Sequence, residues 1–222
     1  MGEHASHAPT QLMDVPALNP MRALDASVPP FTDPAWLYEI KFDGYRVLAY
    51  VDRGQVALRT KNGADCTGWF PEVAAALSAQ FRDALGLIID GEACVLDGTG
   101  RSDFNRLQDR ARKRRRYEGA DPVTLMAFDL LAEGGKSLLD LPLVERKTRL
   151  QALLAGMPAQ SVLFVGDFPA DASLFRDVVL RLELEGFVAK RRDSPYTLGP
   201  ARSRDWLKVK RKGAVPAERF RR

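Results

Sequence analysis

Apolar and polar residues alternate along the 222-residue chain with two different periods, and each change of period marks an element. YRVLAYV and QVALRT carry the two-residue period of half-buried strands on either side of Asp52-Arg53-Gly54, which predicts a β-hairpin. PEVAAALSAQF has helical spacing, and Pro71 stands where a first helical turn needs no amide hydrogen. LGLIID and EACVL form an apolar strand region around Gly91, followed by a turn at Asp97-Gly98-Thr99-Gly100. RSDFNRLQDRARKRRR is predicted helical in its first half, and VTLMAFDLL is predicted as a strand. Two more helices are expected. One runs from Pro142 through RKTRLQALLAG and closes at Gly156. The other covers DASLFRDVVLRLELEG, with Leu174, Phe175, Val178, Val179 and Leu182 on one face and Gly186 as its stop. FVAKR and DWLKVK are the last strands. Strands and helices mix without a regular βαβ alternation or an internal repeat, which predicts an α+β fold. Residues 1–20, rich in Pro, His, Ser and Ala, read as a flexible leader, with order starting near Met21.

Composition changes this picture little. Apolar residues make up 45% and charged residues 28%, as in ordinary globular proteins, and the length suffices for one large domain or two joined lobes. No apolar run approaches the roughly 20 residues that span a bilayer, and no secretory pattern opens the chain. A cytoplasmic protein without a membrane partner is expected. Cys66 and Cys94 show no CxxC spacing, read as reduced buried residues, and exclude a four-cysteine zinc site. Charge matters more. The net charge is +4, but segments 106–116 and 202–213 are strongly basic. Clustered Arg and Lys contact phosphates and gain affinity by releasing counterions, yet the same clusters also form solvated helix faces. Charge permits a nucleic-acid partner without selecting one.

Candidate chemistry starts at EIKFDGYR, where the acid-glycine pair after Lys41 suggests a tight turn and places the lysine at a strand–loop junction, pointing into a cleft. An amine attacks phosphorus only when neutral, and with an ordinary pKa of about 10.4 roughly one lysine in a thousand is neutral near pH 7.5. Burial or a nearby divalent cation raises that fraction. In DWLKVK, alternation puts Trp206, Lys208 and Lys210 on one face and Leu207 and Val209 on the other. Two ammonium groups about 7 Å apart on a strand suit a phosphate chain, although lysines also blunt ordinary edge strands. In LMAFDLL, period two groups Phe128 with Met126 and Leu130, with Asp129 opposite. By itself that is a core pattern, as a lone KxDG is a hairpin pattern.

EIKFDGYR, LIIDGEACVLD, LMAFDLL, LEGFVAKRRDSPY and DWLKVK follow one another in this order. The series resembles the covalent nucleotidyltransferase superfamily of ATP-dependent ligases and capping enzymes, above all the ligase domain of bacterial LigD-type end-joining ligases, over residues 21–212. The resemblance implies an ATP-grasp-like fold of two antiparallel-rich sheets with flanking helices and an active site in the cleft between them. It implies that Lys41 takes AMP from ATP, with NAD not the donor. Glu39 would help read the adenine, Arg46 would contact the ribose side, and Glu92 would accept hydrogen bonds from the ribose hydroxyls. Phe128 would stack on the purine. Arg59, in LRTKNG, would approach the AMP phosphate or the nick. Glu185 would organise Mg²⁺ (or Mn²⁺), Lys208 and Lys210 would hold the phosphate chain, and Lys190 would also contact phosphate.

The implied substrate is nicked or broken double-stranded DNA in repair, sealed by a monomer through AMP transfer to a 5′-phosphate and attack by a 3′-hydroxyl. An RNA ligase, a capping-type guanylyltransferase and a non-catalytic nucleotide- or DNA-binding module remain as alternatives. Such ligases continue into an OB-fold barrel. Only KRKGAVPAERFRR follows the last motif strand, so the expectation is a basic tail at 213–222 and no OB-fold, through truncation, a naturally minimal form or a partner that supplies the barrel, with end-joining factors as further expected partners. Self-adenylation is then expected to be slow, because alignment of the leaving group is worth orders of magnitude.

Overall fold

The structure, a computed structural model, describes residues 18–157 and 160–214. The chain lays down β1 (Arg22–Ser27) and β2 (Asp33–Ile40), then crosses at residues 41–44 to a second sheet. There it builds β3 (Tyr45–Asp52), β4 (Gln55–Thr60), α1 (Pro71–Gln80), β5 (Leu87–Cys94), α2 (Phe104–Arg112), β6 (Thr124–Glu133), β7 (Lys136–Ser137), α3 (Leu143–Leu154) and β8 (Val162–Phe164). It returns at residues 165–166 and completes the first sheet with β9 (Asp167–Ala170), β10 (Gly186–Arg191) and β11 (Arg202–Lys210). Among the described residues the first sheet has the order β1-β11-β10-β2-β9, and the second runs β4-β3-β5-β6-β7 with β8 added beside β6. All pairings are antiparallel except β1 with β11 and β6 with β8. The α+β architecture of two antiparallel-rich sheets with flanking helices is therefore present, and neither sheet closes into a barrel.

Period two sorts the second sheet into two faces. Val47, Ala49 and Val51 of β3 join Leu58, Ile89, Ala93, Leu125, Ala127 and Leu130 in a core covered by Val73 and Leu77 of α1 and Leu150 and Leu154 of α3. Leu48 and Tyr50 face the other way and meet Trp206 of the first sheet. Across the first sheet, Trp36, Tyr38, Phe187, Ala189 and Val209 pack with Phe175, Val178 and Val179. The side away from those residues is what faces the second sheet. Met21 is buried, and its amide donates to the Tyr196 hydroxyl. The expected leader lies outside the described residues except for Leu18, Asn19 and Pro20, and residues 215–222 of the expected tail also lie outside. Cys66 and Cys94 are free and buried. No helix among the described residues is long and apolar enough to cross a membrane.

Three expectations need correction. First, the helix expected to run to Gly186 stops early. It spans Ala172–Leu174 and continues as wider π-type winding over Phe175–Leu180, where the Arg181 amide reaches the Arg176 carbonyl. The wider turn rotates later positions off the apolar stripe. Leu182 is 53% exposed, Glu183 takes a left-handed φ of 53°, and Gly186 opens β10. Second, β6 does not alternate uniformly. Asp90 pairs with Asp129 and Gly91 with Ala127, so Phe128 is the extra residue of a bulge; a second slip follows at Leu131. A bulge reverses the phase of a strand. Leu130 consequently joins Leu125 and Ala127, whereas Phe128 shares its cluster with Leu131. Third, part of the basic segment serves the fold. Arg110 is fully buried and forks onto Glu72 at 2.7 Å, and Arg106 pairs with Asp121.

Candidate active site

Lys41 is the first residue of the outward crossing, and all four residues of that crossing are pinned. The Lys41 amide donates to Gly186 O (2.9 Å), which extends the β2–β10 ladder by one step. Phe42 packs among Cys94, Met126 and Val165. The Asp43 amide donates to Ser102 Oγ (2.9 Å) and the Gly44 amide to Glu92 Oε1 (3.2 Å). Gly44 is not the apex of a tight turn, as the sequence suggested. A Cβ there would stand 2.2 Å from the Ala93 carbonyl oxygen, so the glycine permits close approach to β5.

Register then places the remaining groups. On the cleft face of the first sheet, neighbouring strands align Glu39 with Val188 and Lys208, and Leu37 with Lys190 and Trp206. One step along, Lys41 lies beside Gly186, which pairs with Lys210. Glu185, immediately before β10, bridges this last row. Its Oε2 lies 2.7 Å from Lys41 Nζ and its Oε1 3.0 Å from Lys210 Nζ. Burial alone would raise the Glu185 carboxyl, but Lys41 and then Lys210 outweigh it and hold it below its usual value. Gly186 leaves no room for a side chain, since a Cβ would meet Val209 O at 2.1 Å. Gly186→Ala is therefore expected to cost about 1–3 kcal/mol, as overpacking does. A urea titration with an unchanged midpoint would refute this.

The second sheet contributes Arg46, Glu92 and Phe128. Arg46 forks onto fully buried Asp90 (2.5 and 2.6 Å), which also accepts from the Tyr196 hydroxyl (2.5 Å). The guanidinium lies 4.5 Å from the Phe128 ring centre and 5.4 Å from that of Trp206. The Phe128 and Trp206 rings meet edge-on at 6.1 Å, and Lys190 Nζ stands 4.3 and 4.1 Å from them. Burial pushes the Glu92 carboxyl up to about 7 against the pull of Arg46 and Lys41. Glu92 lies on a central strand opposite Arg46, not on an edge facing water.

The predicted residues fall into two adjoining groups. Lys41, Glu185 and Lys210 form the first; Arg46, Phe128 and Glu39 belong to the second, and Glu92 feels both Arg46 and Lys41. Glu39 is buried with one oxygen on Lys147 (2.7 Å) and the other on Lys190 (2.6 Å). Lys208 shares the Glu39 row, two residues along the strand from the Lys210 that pairs with Glu185. Arg59 stands apart on β4 and pairs with Asp65 (3.0 Å). A cleft of about 1060 Å³ opens beside the first group, bordered by Lys41, Asp43, Ser102, Glu185 and Arg211. Of the predicted site residues only Lys41 and Glu185 border it; Phe128 packs between the sheets with Arg46 against its ring, and Glu39, Glu92, Lys208, Lys210 and Arg59 are also not part of its lining.

Sequence reasoning missed Asp90, Asp129, Arg146 and Lys147. Arg146 and Lys147 lie on the buried side of α3 with Leu143 and Leu150, and charges on an apolar stripe were the available signal. Among the described residues no group of three or more His, Cys, Asp and Glu would hold a metal by itself. A carboxylate shared with substrate phosphates, as Glu185 offers, is nevertheless an oxygen donor set suited to Mg²⁺.

Residues 16–210 match the ATP dependent DNA ligase domain. The multifunctional non-homologous end joining protein LigD of Mycolicibacterium smegmatis is 36% identical over 191 residues, covering 86% of this chain and 23% of that protein. The LigD of Pseudomonas aeruginosa is 37% identical over 178 residues, covering 79% of this chain and 20% of that protein. The chain thus spans less than a quarter of these two relatives. The structure of mycobacterial DNA ligase D complexed with ATP and MES superposes with a TM-score of 0.73 at 33% identity, covering 87% of this chain and 60% of that one. With its motifs aligned across two sheets and a lysine at their crossing, the chain belongs to the ATP-dependent DNA ligase domain family.

Proposed function

We propose that the chain is the adenylate-transferring core of a bacterial, cytoplasmic end-joining DNA ligase, with residues 21–212 as the nucleotidyltransferase unit and Lys41 as the nucleophile. The observation that carries the reading is the placement of Lys41 at the mouth of the cleft, between Glu185 and the ladder to Gly186. The neutral Lys41 amine attacks the α-phosphorus of ATP; a nitrogen–phosphorus bond forms as pyrophosphate leaves. AMP then passes to a DNA 5′-phosphate, and the 3′-hydroxyl displaces it to seal the strand. Lys210 and Lys208 neutralise phosphate charge as it moves onto the leaving group. Glu39 and Phe128 bind the adenine, Glu92 and Arg46 the ribose side, and Arg59 reaches the AMP phosphate or the nick. Glu185 would hold Mg²⁺ (or Mn²⁺), which when bound neutralises phosphate charge. The LigD relatives support broken DNA as the substrate and other end-joining components as partners.

Incubation with α-labelled ATP and Mg²⁺ is expected to give a label that survives denaturation and is lost in acid, and nicked DNA then chases it into sealed product. Labelling by GTP instead would favour a capping-type enzyme, and sealing of RNA alone an RNA ligase. DNA binding without any label would sink the enzymatic reading.

Glu92 adds a pH dependence. As the ionised form it accepts from ribose hydroxyls, and below about 7 the folded chain holds it protonated. Nucleotide affinity is therefore expected to rise as pH passes from 6 to 8, roughly tenfold if one good acceptor is gained. Binding titrations of Glu92→Gln should show no such rise; an equal rise in that variant would remove Glu92 as its source.

A further inference from the structure

Lys147 is a buried cation that the proposed reaction leaves unused. It belongs to α3, yet it is only 3% exposed. Its ammonium lies 2.7 Å from Glu39 Oε1, donates to the Val165 carbonyl at 2.8 Å, and stands 3.5 Å from Asp167 and 4.7 Å from the Phe164 ring centre. Val165 belongs to the return crossing, and Glu39 lies two residues before Lys41 at the outward crossing. One side chain therefore ties α3 to both places where the chain passes between the sheets.

The other oxygen of Glu39 takes Lys190 at 2.6 Å, and the Lys190 ammonium stands over Phe128 and Trp206. A carboxylate between two ammonium groups is balanced from opposite sides. Without Lys147, Glu39 keeps one cationic partner in a weakly screening interior, where unlike charges draw together. The carboxylate would leave the position set by α3 and the return crossing, and Lys190 would be pulled from the rings.

We propose that Lys147 is a positioning residue of the purine subsite: by fixing Glu39 it sets the carboxylate edge that accepts from the 6-amino group of adenine beside Phe128. This rests on the reading of Glu39 as the acid that reads adenine. A purely structural lysine would change stability and leave base discrimination as it is.

Self-adenylation is measured with ATP and with purine riboside triphosphate, which lacks the 6-amino group. In Lys147→Met, KM for ATP is expected to rise about tenfold while the rate at saturation changes less than about threefold. The preference for ATP over the analogue should fall about tenfold, equivalent to about 1.4 kcal/mol. Glu39→Gln should lose the preference to a similar degree. The double variant should be no worse than Glu39→Gln alone, because residues acting through one another are not additive. Lys147→Arg, which keeps the charge, should recover part of it. If Glu39→Gln loses the preference and Lys147→Met keeps it, Lys147 does not position Glu39 and the proposal is overturned. If Glu39→Gln itself keeps the preference, the adenine-reading role of Glu39 has failed, and the proposal fails with it. Should Lys147→Met melt below the assay temperature, Lys147→Gln keeps a donor toward Val165 and is judged by the same outcomes.

Discussion

If Lys41 is the nucleophile we propose, Lys41→Ala and Lys41→Arg are both expected to lose covalent AMP labelling, by at least about 10⁴-fold, the scale on which loss of a nucleophile acts. The two variants separate chemistry from charge. Arginine retains a cation beside Glu185, but a guanidinium stays protonated in proteins and does not attack phosphorus. Alanine removes the cation, yet Glu185 keeps Lys210 at 3.0 Å and so is not left as a lone buried charge. The Lys41 and Glu185 side chains are only 17% and 8% exposed, and losing a charged hydrogen bond in such a place costs about 1–3 kcal/mol. Lys41→Arg, which keeps the charge, should therefore melt close to the parent and Lys41→Ala somewhat lower, both folded and both without label. Acid-labile label on Lys41→Arg, measured after denaturation, would mean that another residue is the nucleophile.

Asp129→Ala is expected to destabilise the fold by about 3–5 kcal/mol, as removing one member of a buried ion pair does. Asp129 and Arg146 are both 0% exposed and share two hydrogen bonds of 2.8 and 2.9 Å. Arg146 also donates to the carbonyls of Leu141 and Ser194, but neutral oxygens do not replace a carboxylate. The pair joins the bulged part of β6 to α3 and to the loop that carries Tyr196, whose hydroxyl donates to Asp90. Urea unfolding should show a lower midpoint with little change in slope. Replacing both partners together, as Asp129→Leu with Arg146→Met, should cost less than Asp129→Ala because no charge is stranded. Additive losses in the double variant would show that the pair does not act as a unit.

Local pattern carried much of this molecule. The β3–β4 hairpin, α1, the first half of the basic segment as α2, and α3 opening after Pro142 all follow from periods of two and 3.6 and from end signals at their termini. The alternation in DWLKVK correctly put Trp206, Lys208 and Lys210 on one face, because a strand alternates whatever its neighbours are. Resemblance then supplied expected roles that alternation cannot, such as Glu185 as a metal-organising acid; its salt bridge to Lys41, 144 residues away in the chain, appeared only in the fold.

Only the tertiary structure decided how those faces meet. The bulge at Phe128 depends on the register between β5 and β6, which no single strand encodes, and it moved Leu130 to the opposite face. The segment after Asp171 took π-type winding that left Leu180 and Leu182 exposed, which its helical spacing did not encode. Arg110 belonged to a segment that could have been a solvated face, and Arg146 and Lys147 drew no reading of their own, until Glu72, Asp129 and Glu39 came to them from distant elements. A charge is buried or solvated according to its partner, and partners far apart in sequence are brought together only by the packing of the whole chain.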